Sequence, residues 1–494
     1  MPDCRRSRFR AHGQPMTASP TAGSPRRLPG HSLHPEILRE YDVRGIVGET
    51  LFPSDARALG AAFGALIGRE GGSTVCVGWD GRHSSPALRD ALIDGLTASG
   101  RRVLTVGRGP TPMLNFALHD RGADAGVMVT GSHNPGAHNG FKMTFGPGCG
   151  GGRPVFGDEI RELGRIAAAG IEAAAAPGDI AAIDVADAYA DRLAAEAAGG
   201  DLSRLTVVWD CGNGAAGEIA ARLTARLAGA HRLLFAEIDG DFPNHHPDPT
   251  VAANLADLQA AVMREGANVG IAFDGDGDRI GVVDDSGAIL WADQAMVYFA
   301  ADLLGARPGA RIIADVKASR VFFDEVARLG GRPEMYRTGH SLIKNRMRET
   351  GAPMAGEMSG HLFFADRYYG FDDALYAAVR LLRILAGDPA PLSAFRAALP
   401  PVFNTPEIRI PVDEARKFAI VEAVRARLEA QGADFADIDG VRTETKDGWW
   451  LLRASNTQAA LSLRGEALTE AGLARLVDGL RGILADEGVD LPPI

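Results

Sequence analysis

Short apolar runs alternate with amphipathic stretches along most of the chain. Thr74–Trp79 predicts a strand, and Pro86–Ser99, with Leu88, Leu92 and Leu96 near helical spacing, predicts the helix after it. Val103–Val106 and Ala125–Val129 read as further strands, and the Ala-rich Ile160–Ala176 run reads as a surface helix ending at Pro177-Gly178. A second unit repeats the plan: strands over Leu205–Trp209, Leu233–Ile238 and Val269–Phe273, with a helix over Gly217–Leu227. A third runs through Arg311–Asp315, a helix over Val321–Leu329, and Glu334–Tyr336. After about Pro400 the texture changes. Strands over Glu407–Ile410, Trp449–Arg453 and Ala459–Arg464 flank a helix over Ala415–Leu428. The pattern predicts α/β units with a smaller α+β domain at the C-terminal end.

Composition narrows the picture. A chain of 494 residues exceeds one ordinary core, so three or four domains are expected. With 46% hydrophobic and 23% charged residues the composition is that of a soluble globular protein. A net charge of −11 argues against general nucleic-acid binding, because phosphate backbones repel acidic surfaces. Cys4, Cys76, Cys149 and Cys211 form no CxxC pair and read as reduced thiols of a cytoplasmic protein. No apolar run approaches the roughly 20 residues that span a bilayer, so no membrane partner is expected. Residues 1–33, rich in Arg, Pro, Ser and Gly, are expected to be a disordered leader.

Four loops carry candidate chemistry. Thr130-Gly131-Ser132-His133-Asn134-Pro135 follows a strand directly, and Ser132 there is a candidate nucleophile or phosphate carrier. Taken alone, a serine in a Gly/Pro loop is most often a turn residue. In Asp274-Gly275-Asp276-Gly277-Asp278-Arg279, three carboxylates alternate with glycines and can converge on one hard cation. The EF-hand alternative fails, because Arg279 stands where its glycine belongs and Asp285 where its glutamate belongs. Three aspartates so close repel one another unless a cation neutralises them, and magnesium suits a site shared with a phosphate. Gly356-Glu357-Met358-Ser359-Gly360-His361 offers groups suited to sugar hydroxyls, and Arg453-Ala454-Ser455-Asn456-Thr457 offers a phosphate cradle; each is also compatible with an ordinary polar turn. Gly212-Asn213-Gly214-Ala215-Ala216-Gly217 matches a dinucleotide fingerprint on paper, but no hydride-transfer constellation accompanies it. His245-His246, adjacent in a Pro-rich loop, is likewise set aside.

In this order, the loops resemble those of the α-D-phosphohexomutase superfamily, most closely its bacterial phosphomannomutase/phosphoglucomutase branch. The resemblance covers about residue 34 to the C-terminus. It also includes Tyr41-Asp42-Val43-Arg44-Gly45, Asn139-Gly140-Phe141-Lys142, Asp315-Val316-Lys317 and Thr338-Gly339-His340-Ser341-Leu342. It implies three related α/β domains with mixed sheets (residues 34–180, 181–288 and 289–400) and a smaller α+β domain (401–494) around a central cleft. The GNGAAG stretch becomes a strand–helix turn of the second domain. The implied activity interconverts hexose 6-phosphate and hexose 1-phosphate, of mannose or glucose, through a phosphoserine enzyme and a hexose 1,6-bisphosphate. Ser132 would carry the phosphoryl group and, with Asp274, Asp276 and Asp278, hold Mg2+. Arg44, Lys142, Arg279, His340 and His361 would serve the reacting phosphate and its proton. Tyr41, Lys317, Glu357, Ser359, Arg453, Ser455, Asn456 and Thr457 would bind substrate. Met358 points to the glucose/mannose branch rather than to a phosphoglucosamine mutase, the alternative within the class. A catalytically silent sugar-phosphate-binding protein is the alternative outside it. A monomer or weak dimer is expected.

Overall fold

A computed structural model describes residues 27–456 and 458–493. Three sheets share one strand order. In the first, Thr74–Trp79 lies between Arg102–Arg108 and Ala125–Val129, all parallel, and His138–Phe145 runs antiparallel beside the third of them. The second repeats this with Thr206–Asp210 between Ala230–Leu234 and Val269–Phe273, and antiparallel Ile280–Asp284 outside. The third uses Arg311–Asp315 between Arg332–Tyr336 and Met354–Gly356, with antiparallel Leu362–Phe364 outside. Val43–Ile46 and Ile180–Ala182 extend the edges of the first sheet, and Ile289–Leu290 extends the second.

The inner strands are legible as unbroken apolar runs because helices cover both faces: every residue of Ala125–Val129 and of Val269–Phe273 is buried. The loop from the third to the fourth strand therefore starts at the same carboxyl-end position in each unit. Those loops span residues 130–137, 274–279 and 357–361, and they hold Ser132, the three aspartates and Glu357.

The three units share one continuous core, with Tyr189, Trp209, Phe299 and Leu375 fully buried in it. The last unit stands apart. Its sheet is antiparallel throughout, ordered Phe403–Asn404, Ala460–Ala467, Gly448–Ala454, Val441–Glu444, Phe435–Ala436, with Ile408–Pro411 also on Ala460–Ala467. Lys417–Ala430 and Glu470–Asp486 pack on it around a separate core. Its link to the third unit is small and partly polar. Val316, Trp449 and Leu451 form one apolar cluster, and Arg442 stacks on Trp449 while donating to the carbonyls of Val316 (2.6 Å) and Ala318 (2.8 Å).

Several elements end elsewhere than the pattern predicts. The helix expected over Ile160–Ala176 is Asp158–Ala169, stopped by Gly170 at φ 71°. The strand expected over Leu233–Ile238 is Ala230–Leu234, and Phe235 at φ 50° turns the chain out of the sheet. Residues 27–33, assigned to a leader, lie along the first unit: Leu28 N–H donates to Ile171 and His31 N–H to Ala167, and Leu33 is buried. The rest of that segment, 1–26, lies outside the described residues. Among the described residues no helix is long and apolar enough to cross a membrane.

Asp373 joins elements from two units. Its carboxylate accepts from the hydroxyls of Tyr189 (2.8 Å) and Tyr368 (2.7 Å), and from Tyr376 N–H (2.9 Å) as N-cap of helix Ala374–Gly387. Losing the cap and stranding two buried phenols should make Asp373→Ala about 3 kcal/mol less stable in chemical denaturation; a loss under about 1 kcal/mol would contradict this. Burial pushes the Asp373 pKa up to about 6. A raised acid pKa contributes stability that is complete below the unfolded value and lost as pH rises through about 6. Wild-type stability relative to Asp373→Asn should therefore fall between about pH 4 and 6 and stay level above.

Candidate active site

Ser132 sits in the first of the three equivalent loops, 2% exposed and at φ 50°. Its hydroxyl donates to Asp274 Oδ2 at 3.0 Å, across the boundary between the first and second units. Two residues outside the expected set shape this loop. Arg82 donates to the carbonyls of Ser132, Asn134, Pro135 and His138, and Asp80 accepts from Thr130 Oγ1 and Gly131 N–H. Both follow strand Thr74–Trp79, where a charged pair at a strand's carboxyl end was the available signal. His246, set aside from sequence, touches the carbonyl of His133 through Nε2.

The three aspartates lie beneath Ser132, each at most 1% exposed. Asp274 Oδ1 accepts the N–H groups of Asp278 (3.0 Å) and Arg279 (3.1 Å). Lys142, from the fourth strand of the first unit, reaches across to Asp276 at 2.7 Å and to Asp278. Thr111 Oγ1 also donates to Asp276. The GNGAAG turn packs here as well: Ala215 N–H donates to the carbonyl of Gly275 (2.8 Å), and a Cβ on Gly214 would stand 3.0 Å from that oxygen. Those glycines allow one turn to lie against another, which is why the fingerprint appears without a dinucleotide.

Charge in this cluster is uneven. Burial, then repulsion from Asp278 and Asp276, pushes the Asp274 pKa well above the carboxylate range. Burial and Asp276 also raise that of Asp278. Asp276 is held low in spite of burial, because Lys142 faces it; burial opposes the Lys142 charge, but Asp276 and Asp278 prevail and hold it protonated. Oδ1 of Asp276 and Oδ1 of Asp278 are buried without a hydrogen-bond partner. Ligand atoms of the three aspartates lie within 4.8 Å of one another. An all-oxygen set with orphaned carboxylate oxygens fits a hard divalent cation.

One cleft brings together Tyr41, Arg44, Ser132, Lys142, Arg279, Lys317, His340, Glu357, Ser359, His361, Arg453, Ser455 and Asn456. Thr457 lies outside the described residues. Met358, the side chain that points to the glucose/mannose branch, does not line the cleft; its thioether turns toward Arg464. Most cations of the cleft have a carboxylate beside them: Asp42 for Arg44 (2.5 Å), Asp439 for Arg453 (3.0 Å), and Asp315 and Glu407 for Lys317 (3.8 and 3.7 Å). Glu357 accepts Gly339 N–H at 2.6 Å. Lys417, also unforeseen, donates to the carbonyls of Ser455 (2.6 Å) and Gln458 (3.1 Å) and so shapes the Arg453 loop from behind.

The two histidines differ. Arg279 Nε–H donates to His361 Nε2 at 3.0 Å, so the remaining ring proton of a neutral His361 is on Nδ1, 3.0 Å from Asp372 Oδ2. His340 stacks on His361 and is held neutral by burial and by Lys344; its Nδ1 has no hydrogen-bond partner. Tyr41 closes the cleft at its far side: its hydroxyl donates to Thr338 O (2.7 Å) and accepts from Asn456 Nδ2 (2.6 Å), joining the first, third and fourth units.

Comparison with known proteins agrees with this layout. Residues 35–173, 187–287 and 291–403 match the models of phosphoglucomutase/phosphomannomutase alpha/beta/alpha domains I, II and III, and 407–483 match the C-terminal domain. The chain is 43% identical over 461 residues to the phosphomannomutase/phosphoglucomutase of Pseudomonas aeruginosa, covering 93% of this chain and 98% of that one. It is 42% identical over 457 residues to a phosphoglucomutase of Neisseria gonorrhoeae, covering 92% and 97%. The crystal structure of a phosphoglucomutase/phosphomannomutase family protein from Burkholderia thailandensis superposes with a TM-score of 0.84 at 43% identity, covering 93% of this chain and all of that one. The chain belongs to the phosphoglucomutase/phosphomannomutase family of the α-D-phosphohexomutases. It is thus a phosphosugar mutase, an intramolecular phosphotransferase.

Removing one carboxylate from the candidate cation site should weaken divalent-ion binding. Asp276→Ala is expected to lower Mn2+ affinity about a hundredfold or more, read by electron paramagnetic resonance of free Mn2+. Unchanged affinity would place the cation elsewhere.

Proposed function

We propose that the enzyme interconverts the 1- and 6-phosphates of glucose and mannose, with Ser132 as the phosphoryl carrier and Mg2+ held by Asp274, Asp276, Asp278 and the Ser132 oxygen. The observation that carries this is the meeting of Ser132 Oγ and Asp274 Oδ2 at 3.0 Å, at the floor of a cleft whose opposite wall is the Arg453 loop. A bound Mg2+ supplies charge neutralisation for a phosphoryl group on Ser132.

The chain's residues do the rest. Phosphoryl transfer needs alignment and charge stabilisation more than covalent assistance. Arg44, Lys142 and Arg279 stand around Ser132, and all three are anchored by carboxylates or by His361, so they are oriented before substrate arrives. The Ser132 O–P bond breaks as the free hydroxyl of a hexose monophosphate forms its own, giving the hexose 1,6-bisphosphate. The hydroxyl proton passes to a base, and the departing Ser132 oxygen takes up a proton to become the serine hydroxyl again. His361 Nε2 already accepts from Arg279, which leaves His340, whose Nδ1 has no hydrogen-bond partner, for that task. Glu357 and Ser359 face the sugar, while Arg453, Ser455, Asn456 and Thr457 hold the phosphate not in transfer, with Lys317 and Tyr41 beside them. The bisphosphate turns round and returns its other phosphate to Ser132. A reducing, cytoplasmic setting is supported by free Cys76, Cys149 and Cys211.

Intact-mass measurement of enzyme incubated with glucose 1,6-bisphosphate should show one added phosphate on Ser132. Ser132→Ala should keep its melting temperature, take up no phosphate and lose nearly all mutase activity; an active Ser132→Ala enzyme would refute the carrier. Turnover of glucose and mannose 1-phosphates should exceed that of glucosamine 1-phosphate, and the reverse order would reassign the sugar.

A further inference from the structure

We propose that Asp80 and Arg82 are the positioning residues for the phosphoryl-carrying serine, holding residues 130–138 in the one conformation that keeps Ser132 Oγ beside Asp274. This rests on the assignment of Ser132 as carrier and says how the fold sustains it.

The loop needs such a device because Ser132 is held in the left-handed region at φ 50°. For a residue other than glycine that conformation costs roughly 1–2 kcal/mol and persists only where the surroundings over-determine it. Asp80 and Arg82 supply that over-determination. Arg82, 1% exposed, donates from Nη1 to the carbonyls of Pro135 (2.7 Å) and His138 (3.0 Å), and from Nη2 to those of Ser132 (2.7 Å) and Asn134 (2.5 Å). Asp80, 3% exposed, lies 3.2 Å from Arg82 Nε and binds the start of the loop through Thr130 Oγ1 (2.8 Å) and Gly131 N–H (3.2 Å). Thr130 Oγ1 in turn accepts Ser132 N–H at 2.8 Å.

The arrangement also has an electrostatic sense. A phosphoserine carries about −1.5 to −2 charges at neutral pH, and here it would stand beside three aspartates. Four carbonyl dipoles of its own loop, free to turn, would add to that repulsion. All four are instead committed to one guanidinium on the far side of the loop. Neither Asp80 nor Arg82 lines the cleft, so any effect on catalysis passes through Ser132. Glycine at 131 is part of the device, since a Cβ there would lie 2.5 Å from the Arg82 guanidinium carbon. Lysine cannot replace the arginine: its single ammonium has three donors on one point, whereas four carbonyls are held by the spread fork of the guanidinium.

The test compares wild type, Arg82→Lys and Asp80→Asn, each loaded with glucose 1,6-bisphosphate and freed of excess. Intact mass is expected to show phosphate on Ser132 in all three. In quench-flow, transfer from the phosphoenzyme to glucose 1-phosphate should slow about a hundredfold in Arg82→Lys, the scale expected of a small misplacement, with KM within about threefold of wild type. The phosphoserine 31P resonance, single in wild type, should broaden or split. Transfer at the wild-type rate by a folded Arg82→Lys enzyme, or a defect confined to KM, overturns the proposal. Should Arg82→Lys fail to fold, Asp80→Asn decides: its amide oxygen can still accept from Thr130 and Gly131, while the charge facing Arg82 and the acceptor for Arg82 N–H and Ser85 Oγ are lost, and it should show the same split of kcat from KM. Wild-type enzyme that takes up no phosphate on Ser132 overturns the carrier assignment and the positioning device together. Phosphorylated wild type with unaffected variants overturns the device alone.

Discussion

Lys142 lies buried between Asp276 and Asp278, and the rest of the site depends on that ion cluster. The lysine belongs to the first sheet and the aspartates to a loop of the second. Separating the two units would leave buried charges without partners, which is strongly unfavourable. The first and second units are therefore locked, and with them the distance from Ser132 to Asp274. The same cluster leaves carboxylate oxygens unpaired, because one ammonium cannot neutralise three carboxylates. Structural attachment and the candidate cation site arise from the same residues.

The three sheets add a geometric constraint. Because each places its third parallel strand beside an antiparallel fourth, the loop between them emerges at the same carboxyl-end position in every unit. Packed around one core, the three loops converge, and each carries a different chemistry: a hydroxyl, a set of carboxylates, and a glutamate with a nearby serine. The fourth unit has its own core and meets the third through one small apolar cluster and a set of hydrogen bonds, so the Arg453 loop is carried on a separately packed part of the protein. Tyr41 bridges it to the other units through a pair of hydrogen bonds, a contact that can be remade at modest cost.

The acidic overall charge and the basic cleft are compatible because most cleft cations have a partner carboxylate beside them. Asp42, Asp439, Asp315 and Glu407 hold Arg44, Arg453 and Lys317 in place. The pairing fixes directions without removing the charges that face the cleft, and fixed charges stabilise a transferring phosphoryl group without having to reorganise. Arg82 extends the same idea to the backbone, where one guanidinium orients four peptide groups.

The inner strands were legible in the amino-acid order alone. Ala125–Val129, Val269–Phe273 and Ile312–Ala314 are short apolar runs buried on both faces, and such runs have few other uses. The edge strand Ala230–Leu234 was less legible, because Phe235 in the left-handed region stopped it where its neighbours could have continued. The triple aspartate announced a cation because like charges so close in sequence must be close in space. Ser132 by itself was a turn residue; only its order with the other loops linked it to phosphate. Tertiary structure decided what spacing cannot carry: that Lys142 answers Asp276 and Asp278, that Arg279 sets the tautomer of His361, that Met358 turns toward Arg464 and out of the cleft lining, and that Asp80 and Arg82 hold the serine loop. Each of these joins residues far apart in the chain or depends on which way a side chain points, and neither is written in local sequence.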